Sequence, residues 1–316
     1  MAREAFTSGT VIDASQLAGL RVLADLIPLH RQRKILNDQA GGHTSQLRGR
    51  GIDFAEVRSY QPGDDIRSMD WRVTARTGEA HIKVFREERE RPVLIACDLR
   101  ASMNFGTRRA LKRVVAADIA ALFAWSAMNH GDRVGGLVFN DDSERDLRPH
   151  TGRKTLMNFL HQLASLPVSA HLDSKQRMLE VCRHIARIAR PGSAVYLISD
   201  FAGFDEECEK SLHAISRHCD LIAIRISDPF EQQQPAGSWA ISDGKQRQRL
   251  RVNRSASEQQ LRDWQTQSEQ LRQRLARLRA PLTEISTEAD PLDQLRQGFG
   301  LSSASSQEKQ QGQQYA

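Results

Sequence analysis

Cysteine is scarce and scattered. The 316 residues hold four, Cys97, Cys182, Cys208 and Cys219, with no C-x-x-C pair. That spacing excludes paired-cysteine zinc and redox motifs, and it predicts the reduced thiols of a cytosolic protein. Long apolar runs are missing: none approaches the roughly 20 residues that span a bilayer, so no membrane span is expected. The opening MAREAFTSGTVIDASQL has no signal-peptide hydrophobic core, and a cytoplasmic location follows as an expectation. Catalytic signatures are absent too. There is no G-x-x-x-x-G-K-[ST] loop, no H-E-x-x-H and no G-x-S-x-G. Ten histidines occur, His161, His171 and His184 among them, but none has spacing that demands a triad. No catalytic or cofactor-binding residue is assigned, and a non-enzymatic role is expected.

Charge is plentiful but uneven. The net charge is +6. Residues 48–91 carry ten bases and nine acids, close to balance, whereas residues 245–280 carry ten bases and three acids. The basic excess therefore sits in one late segment. Its readings are a solvated helix face, a contact surface for an acidic partner, and a nucleic-acid surface. No series of aromatics interleaves with its arginines, and Trp264 falls in the buried stripe, which argues against the third.

Hydrophobic patterning predicts an α/β fold. Leu17, Leu20, Leu23, Leu26 and Ile27 recur at helical spacing in an N-terminal helical segment, residues 1–47. A charged block fills 48–91. From 92 to 300, apolar runs alternate with amphipathic helices. The expected strands are 93–97, 134–139, 194–198, 221–226 and 281–286, with 145–149 a further candidate. The expected helices are 108–129, 154–163, 174–189, 206–218, 256–279 and 291–299, and a small hairpin is expected at 239–242 and 249–252. Ser255 and Glu258 have capping-box spacing at the start of the long basic helix, whose buried stripe is Leu261, Trp264, Leu271, Leu275 and Leu278, interrupted by Ser268. Such alternation implies a doubly wound, mostly parallel sheet with helices on both faces and an N-terminal helical and charged extension. Residues 301–316 are polar, low in complexity and expected to be disordered.

Two aspartates end apolar runs: Asp98 after VLIAC and Asp200 after AVYLIS. In open α/β sheets the ligand crevice lies at the carboxyl ends of strands, where the strand order reverses. With Ser102, the two offer oxygen ligands suited to Mg²⁺. The competing reading is that both cap the next turn or helix. Asp98-Leu-Arg-Ala-Ser102 resembles the D-x-S-x-S metal-ion-dependent adhesion motif of von Willebrand factor type A domains, with Asp200 at the position of that family's later aspartate. Arg100 replaces the middle serine, and SLPVSAHLDSKQ lacks the family's threonine, so two of five expected ligands are missing. A guanidinium there would repel a cation, or take its place by pairing with Asp98 or Asp200.

The charged block strengthens the identification. Gly49-Arg-Gly-Ile-Asp-Phe54, Arg58-Ser-Tyr-Gln-Pro-Gly-Asp-Asp-Ile-Arg67 and Asp70-Trp-Arg-Val-Thr-Ala-Arg76 closely resemble the hallmark of the bacterial family called domain of unknown function 58 (DUF58). In that family the block precedes a type A-like domain, and the resemblance here covers roughly residues 40–230. It implies work beside a MoxR-type AAA+ ATPase in protein-complex maturation or cofactor insertion. On the residues themselves, Arg58, Arg67 and Arg76 can pair with Asp64, Asp65 and Asp70, Trp71 can anchor, and Pro62-Gly63 suits a type II turn. Tyr60 lies among them. The block is either an ion-paired structural subdomain or a docking surface for the ATPase or a client protein, with Arg100 a further candidate contact. The leading expectation is a non-catalytic, protein-binding, chaperone-like adapter. The alternatives are a metal-dependent hydrolase using Asp98 and Asp200, and nucleic-acid binding through residues 245–280.

Overall fold

The computed structural model describes residues 6, 9–27, 29, 52–61, 69–87, 90–169, 174–242 and 247–301. The chain divides into two compact units, one of Met1–Leu36 with Arg91–Ala316 and one of Asn37–Glu90. The expected tail beyond Leu301 and the turn at Pro62-Gly63 lie outside the described residues, as do Asp64, Asp65 and Arg67.

In the larger unit a six-stranded sheet is sandwiched between helices, as the alternating pattern predicts. Its strands are β3 (Pro92–Asp98), β4 (Arg133–Phe139), β5 (Glu144–His150), β6 (Ala194–Ser199), β7 (Asp220–Ser227) and β10 (Leu282–Ser286). They are ordered β10-β7-β6-β3-β4-β5. All neighbours are parallel except β5, which closes one edge antiparallel to β4. The central strands are buried on both faces because side chains alternate. Val93, Ile95 and Cys97 enter one apolar layer, while Leu94 and Ala96 enter the other.

The first layer is built on α3 (Lys112–Asn129), with α1 (Ala14–Gly19), α4 (Arg153–Ser165) and α9 (Pro291–Gly298) around it. The six-residue stripe read from the sequence understates α3, which is buried on every side from Val114 to Ala127. The N-terminal segment covers its outer face. The Trp125 indole donates to the Leu17 carbonyl at 3.0 Å and the Ser126 hydroxyl to the Ile27 carbonyl at 2.6 Å. The helix also starts later than the expected Arg108. Backbone at 109–111 instead pairs with Gly9, through Gly9 N to Arg109 O (2.9 Å) and Leu111 N to Gly9 O (3.0 Å).

The second layer holds α5 (Ser174–Ile188), α6 (Glu206–His213) and α8 (Arg254–Arg277). Ser268 interrupts the α8 stripe for a reason: it accepts a hydrogen bond from the buried Arg225 at 2.7 Å, and Trp264 lies 4.0 Å from the same guanidinium. Ser255 does not cap this helix. Asn253 does, accepting from Ala256 N at 2.7 Å, while Glu258 turns to Arg254. A short α7 (Pro229–Gln232) and the hairpin β8 (Gly237–Ser242) and β9 (Arg247–Val252) lie between β7 and α8.

The smaller unit is an antiparallel pair, β1 (Ile52–Ser59) with β2 (His81–Glu87), joined through α2 (Trp71–Thr77). Among the described residues no helix is long and apolar enough to cross a membrane.

Candidate functional site

Chain order runs β3-β4-β5 toward one edge of the sheet and β3-β6-β7-β10 toward the other, so the connections diverge between β3 and β6. A crevice at the carboxyl ends of these two strands is the expected outcome. Asp98 is the last residue of β3 and Asp200 directly follows β6, which brings both expected aspartates to this point.

Local geometry then decides what fills the crevice. Asp98 Oδ1 accepts the backbone N–H of Arg100 at 2.9 Å, a side-chain turn that folds the chain back on itself. The Arg100 side chain is thereby aimed at the same carboxylate. Its Nε donates to Oδ1 at 3.0 Å and Oδ2 at 3.1 Å, and its Nη2 donates to Oδ2 at 2.7 Å. Both side chains are completely buried, and Nη2 also lies 3.7 Å from Asp200 Oδ1. Ser199 Oγ donates to Asp98 Oδ2 at 2.6 Å and accepts from Phe201 N at 2.9 Å. Phe201 itself has φ of 60°, the left-handed region that a side chain rarely adopts, and this bond with that of Asp200 Oδ1 to Ala202 N (2.9 Å) holds the turn.

A second buried cation completes the network. Lys112 Nζ donates to Asp200 Oδ2 at 2.9 Å and to Glu231 Oε1 at 2.6 Å. Burial pushes the Arg100 guanidinium pKa down, but the carboxylates of Asp98, Asp200 and Asp141 outweigh it and hold the group firmly charged. Lys112 is likewise raised: Asp200 and Glu231 overcome the cost of burial. For Asp200 burial pulls upward, yet Lys112 and Arg100 win and its carboxyl pKa falls below the ordinary value. Glu231 goes the other way, with burial exceeding the pull of Lys112. Asp141 borders the crevice, where its Oδ2 accepts from Ala101 N at 2.6 Å. Asp228, fully buried after β7, ties the rim together by accepting from Thr107 N (2.8 Å), Thr107 Oγ1 (2.6 Å), Phe230 N (2.9 Å) and Thr287 Oγ1 (2.5 Å).

These donors do not fit a divalent cation. Mg²⁺ needs free carboxylate oxygens in an octahedral arrangement. Both oxygens of Asp98 are already taken by Arg100 and Ser199, and Asp200 Oδ2 by Lys112. The Ser102 hydroxyl is buried with no hydrogen-bond partner and joins neither aspartate. Among the described residues no cluster of three His, Cys, Asp or Glu side chains is arranged to hold a metal. Sequence reasoning found Asp98, Arg100 and Asp200 but missed Lys112, Ser199, Glu231 and Asp228. A lysine at the first position of a predominantly apolar helix was the available signal for the first.

In the smaller unit the described members of the charged block take local roles. Asp70 caps α2, accepting from Arg72 N at 3.0 Å and Val73 N at 3.2 Å. Tyr60 N donates to Ala80 O at 2.8 Å, and Arg58 Nη1 donates to Ser59 O at 3.2 Å. Arg76 is in the last turn of α2, where a cation suits the helix dipole. Trp71, the first helical residue after the cap, is 67% exposed, so its ring is open to solvent rather than packed in the unit. The basic segment is partly spent on internal pairs. Arg272 lies 3.1 Å from Glu284, and Arg277 and Arg274 lie 2.6 and 3.8 Å from Glu209.

Comparison with known proteins adds the following. The family model described as "Protein of unknown function DUF58" matches residues 56–274. Uncharacterized protein Rv1480 of Mycobacterium tuberculosis (strain H37Rv) is 30% identical over 236 residues, 74% of this chain and 73% of that protein. Uncharacterized protein Mb1516 of Mycobacterium bovis matches to the same extent. A solved structure of conserved hypothetical protein BatB from Bacteroides thetaiotaomicron covers 67% of this chain and 100% of its own, at 14% identity and a TM-score of 0.38.

Proposed function

The chain belongs to the DUF58 family, and from that premise we propose that it is a non-catalytic, protein-binding adapter. We read its sheet as a von Willebrand factor A-like domain whose crest binds a client protein. A MoxR-type AAA+ ATPase supplies the energy for remodelling or maturing the client's complex, in the cytoplasm. The observation that carries this reading is the buried Asp98–Arg100 pair: the acids a metal-dependent enzyme would need are neutralised from within the chain. Beside the crevice, Phe230 lies 6.2 Å from Phe105 and 5.4 Å from Trp239, a chain of part-exposed aromatics of the kind that anchors protein contacts. Four buried, unpaired thiols suit a reducing compartment.

The metal-dependent hydrolase reading loses its support with the donor set. The nucleic-acid reading is weakened by the carboxylate partners of Arg272, Arg274 and Arg277. The test is size-exclusion chromatography of the purified chain with a MoxR-type ATPase from the same organism, in ATP. Co-elution is expected. Separate elution with ATP present would overturn the adapter reading.

A further inference from the structure

At the opposite end of the sheet from Asp98 lies a cleft of about 550 Å³. It forms where the amino ends of β3 and β4 meet the far half of β5 and the end of α5. Its walls carry four arginines, Arg133, Arg148, Arg187 and Arg190, with His150 beside them. Against these cations stands one carboxylate, Asp146, and that group lies 3.5 Å from His184 Nε2.

The arginines differ from others in this unit. Arg91 pairs with Asp220, Arg177 with Glu144, and Arg277 with Glu209. Among the described residues none of the four cleft arginines has a carboxylate within ion-pair distance. Arg133 is half-buried, and its Nε is fully buried with no hydrogen-bond partner. Gathering like charges around one concavity is repulsive, and the repulsion grows where walls exclude water. A bound anion reverses that sign.

The cleft is not polar throughout. Pro92, Leu94, Leu147 and Ile188 contribute apolar surface to the same lining. Its volume lies within the roughly 300–1,000 Å³ of small-molecule sites. Guanidinium forks match phosphate oxygens in pairs, and they stack on flat rings. We propose that this cleft binds an organic phosphate of nucleotide size, its phosphates held by the arginines and its ring on the apolar floor. The site is separate from the crest, so it stands or falls independently of the adapter role.

Calorimetric titration of the full chain with ATP, ADP, inorganic tripolyphosphate and a glutamate-rich peptide tests this. Saturable binding of ATP or ADP is expected, stronger than that of tripolyphosphate. It should weaken by at least about tenfold in the charge reversals Arg148→Glu and Arg187→Glu. Both residues are exposed, so both variants should fold. Arg254→Glu, an exposed change on α8, should leave it intact. No nucleotide binding at low salt would overturn the proposal. So would binding indifferent to the two cleft variants, tripolyphosphate binding as well as ATP, or the peptide alone binding.

Discussion

Replacing Arg100 with alanine removes the cation on which the crest depends. Three side-chain hydrogen bonds to Asp98 vanish: Nε to Oδ1 and Oδ2 at 3.0 and 3.1 Å, and Nη2 to Oδ2 at 2.7 Å. Asp98 stays fully buried. It keeps the backbone N–H of residue 100 and the Ser199 hydroxyl, both dipoles, against a full negative charge. Asp200 loses one of its two cations. Breaking a buried pair in this way costs roughly 3–5 kcal/mol, because an uncompensated charge remains. A domain of this kind has about 5–15 kcal/mol in total, so the midpoint of urea unfolding should drop far. Arg100→Lys keeps the charge but not the fork, and it should fall between. The decisive control is Arg100→Ala combined with Asp98→Asn, which removes the stranded charge as well. That double variant should be more stable than Arg100→Ala alone. If Arg100→Ala costs less than about 1 kcal/mol, the pair is not the buried charge-matched unit described here. The same conclusion follows if Asp98→Asn gives no recovery in the Arg100→Ala background.

Other perturbations have defined outcomes. A methyl group on Gly136, in the middle of β4, would fall on the ring of Phe159, so Gly136→Ala should cost about 1–3 kcal/mol in chemical denaturation. Trp125→Phe keeps the buried ring but strands the Leu17 carbonyl, and should lower stability by roughly 1–3 kcal/mol by the same measurement. Asp200 has a folded pKa below its unfolded value of about 3.9. Its contribution is therefore complete above that value and lost as pH falls through the folded pKa. Asp200→Asn should be less stable at neutral pH, with a shallower decline in thermal midpoint below about pH 4.

The fold was legible where local pattern and burial agree. Short apolar runs ending in Asp98 and before Asp200 marked central parallel strands, because only strands buried on both faces lack alternation. The helix α3 was harder. Its outer face is buried as well, Trp125 and Ser126 among others, and nothing local says that residues 14–27 will cover it. The site was half legible. Asp98 and Asp200 follow from strand ends, and the position of Arg100 two residues after Asp98 raised the idea of a guanidinium in the cation's place. Lys112 reaches Asp200 from 88 residues away in sequence and Glu231 reaches Lys112 from 119, so only the packed sheet reveals them. The exposure of Trp71 was not legible either, because it follows from the Asp70 cap that starts a helix at that residue.

The central claim is that Arg100 and Lys112 neutralise the crest where a type A-like domain would hold a metal. Calorimetric titration of the unaltered chain with Mg²⁺ and Mn²⁺ addresses it most directly. The account predicts no saturable binding, since Asp98 has no free oxygen to offer. One-site binding that disappears in Asp98→Asn would contradict it.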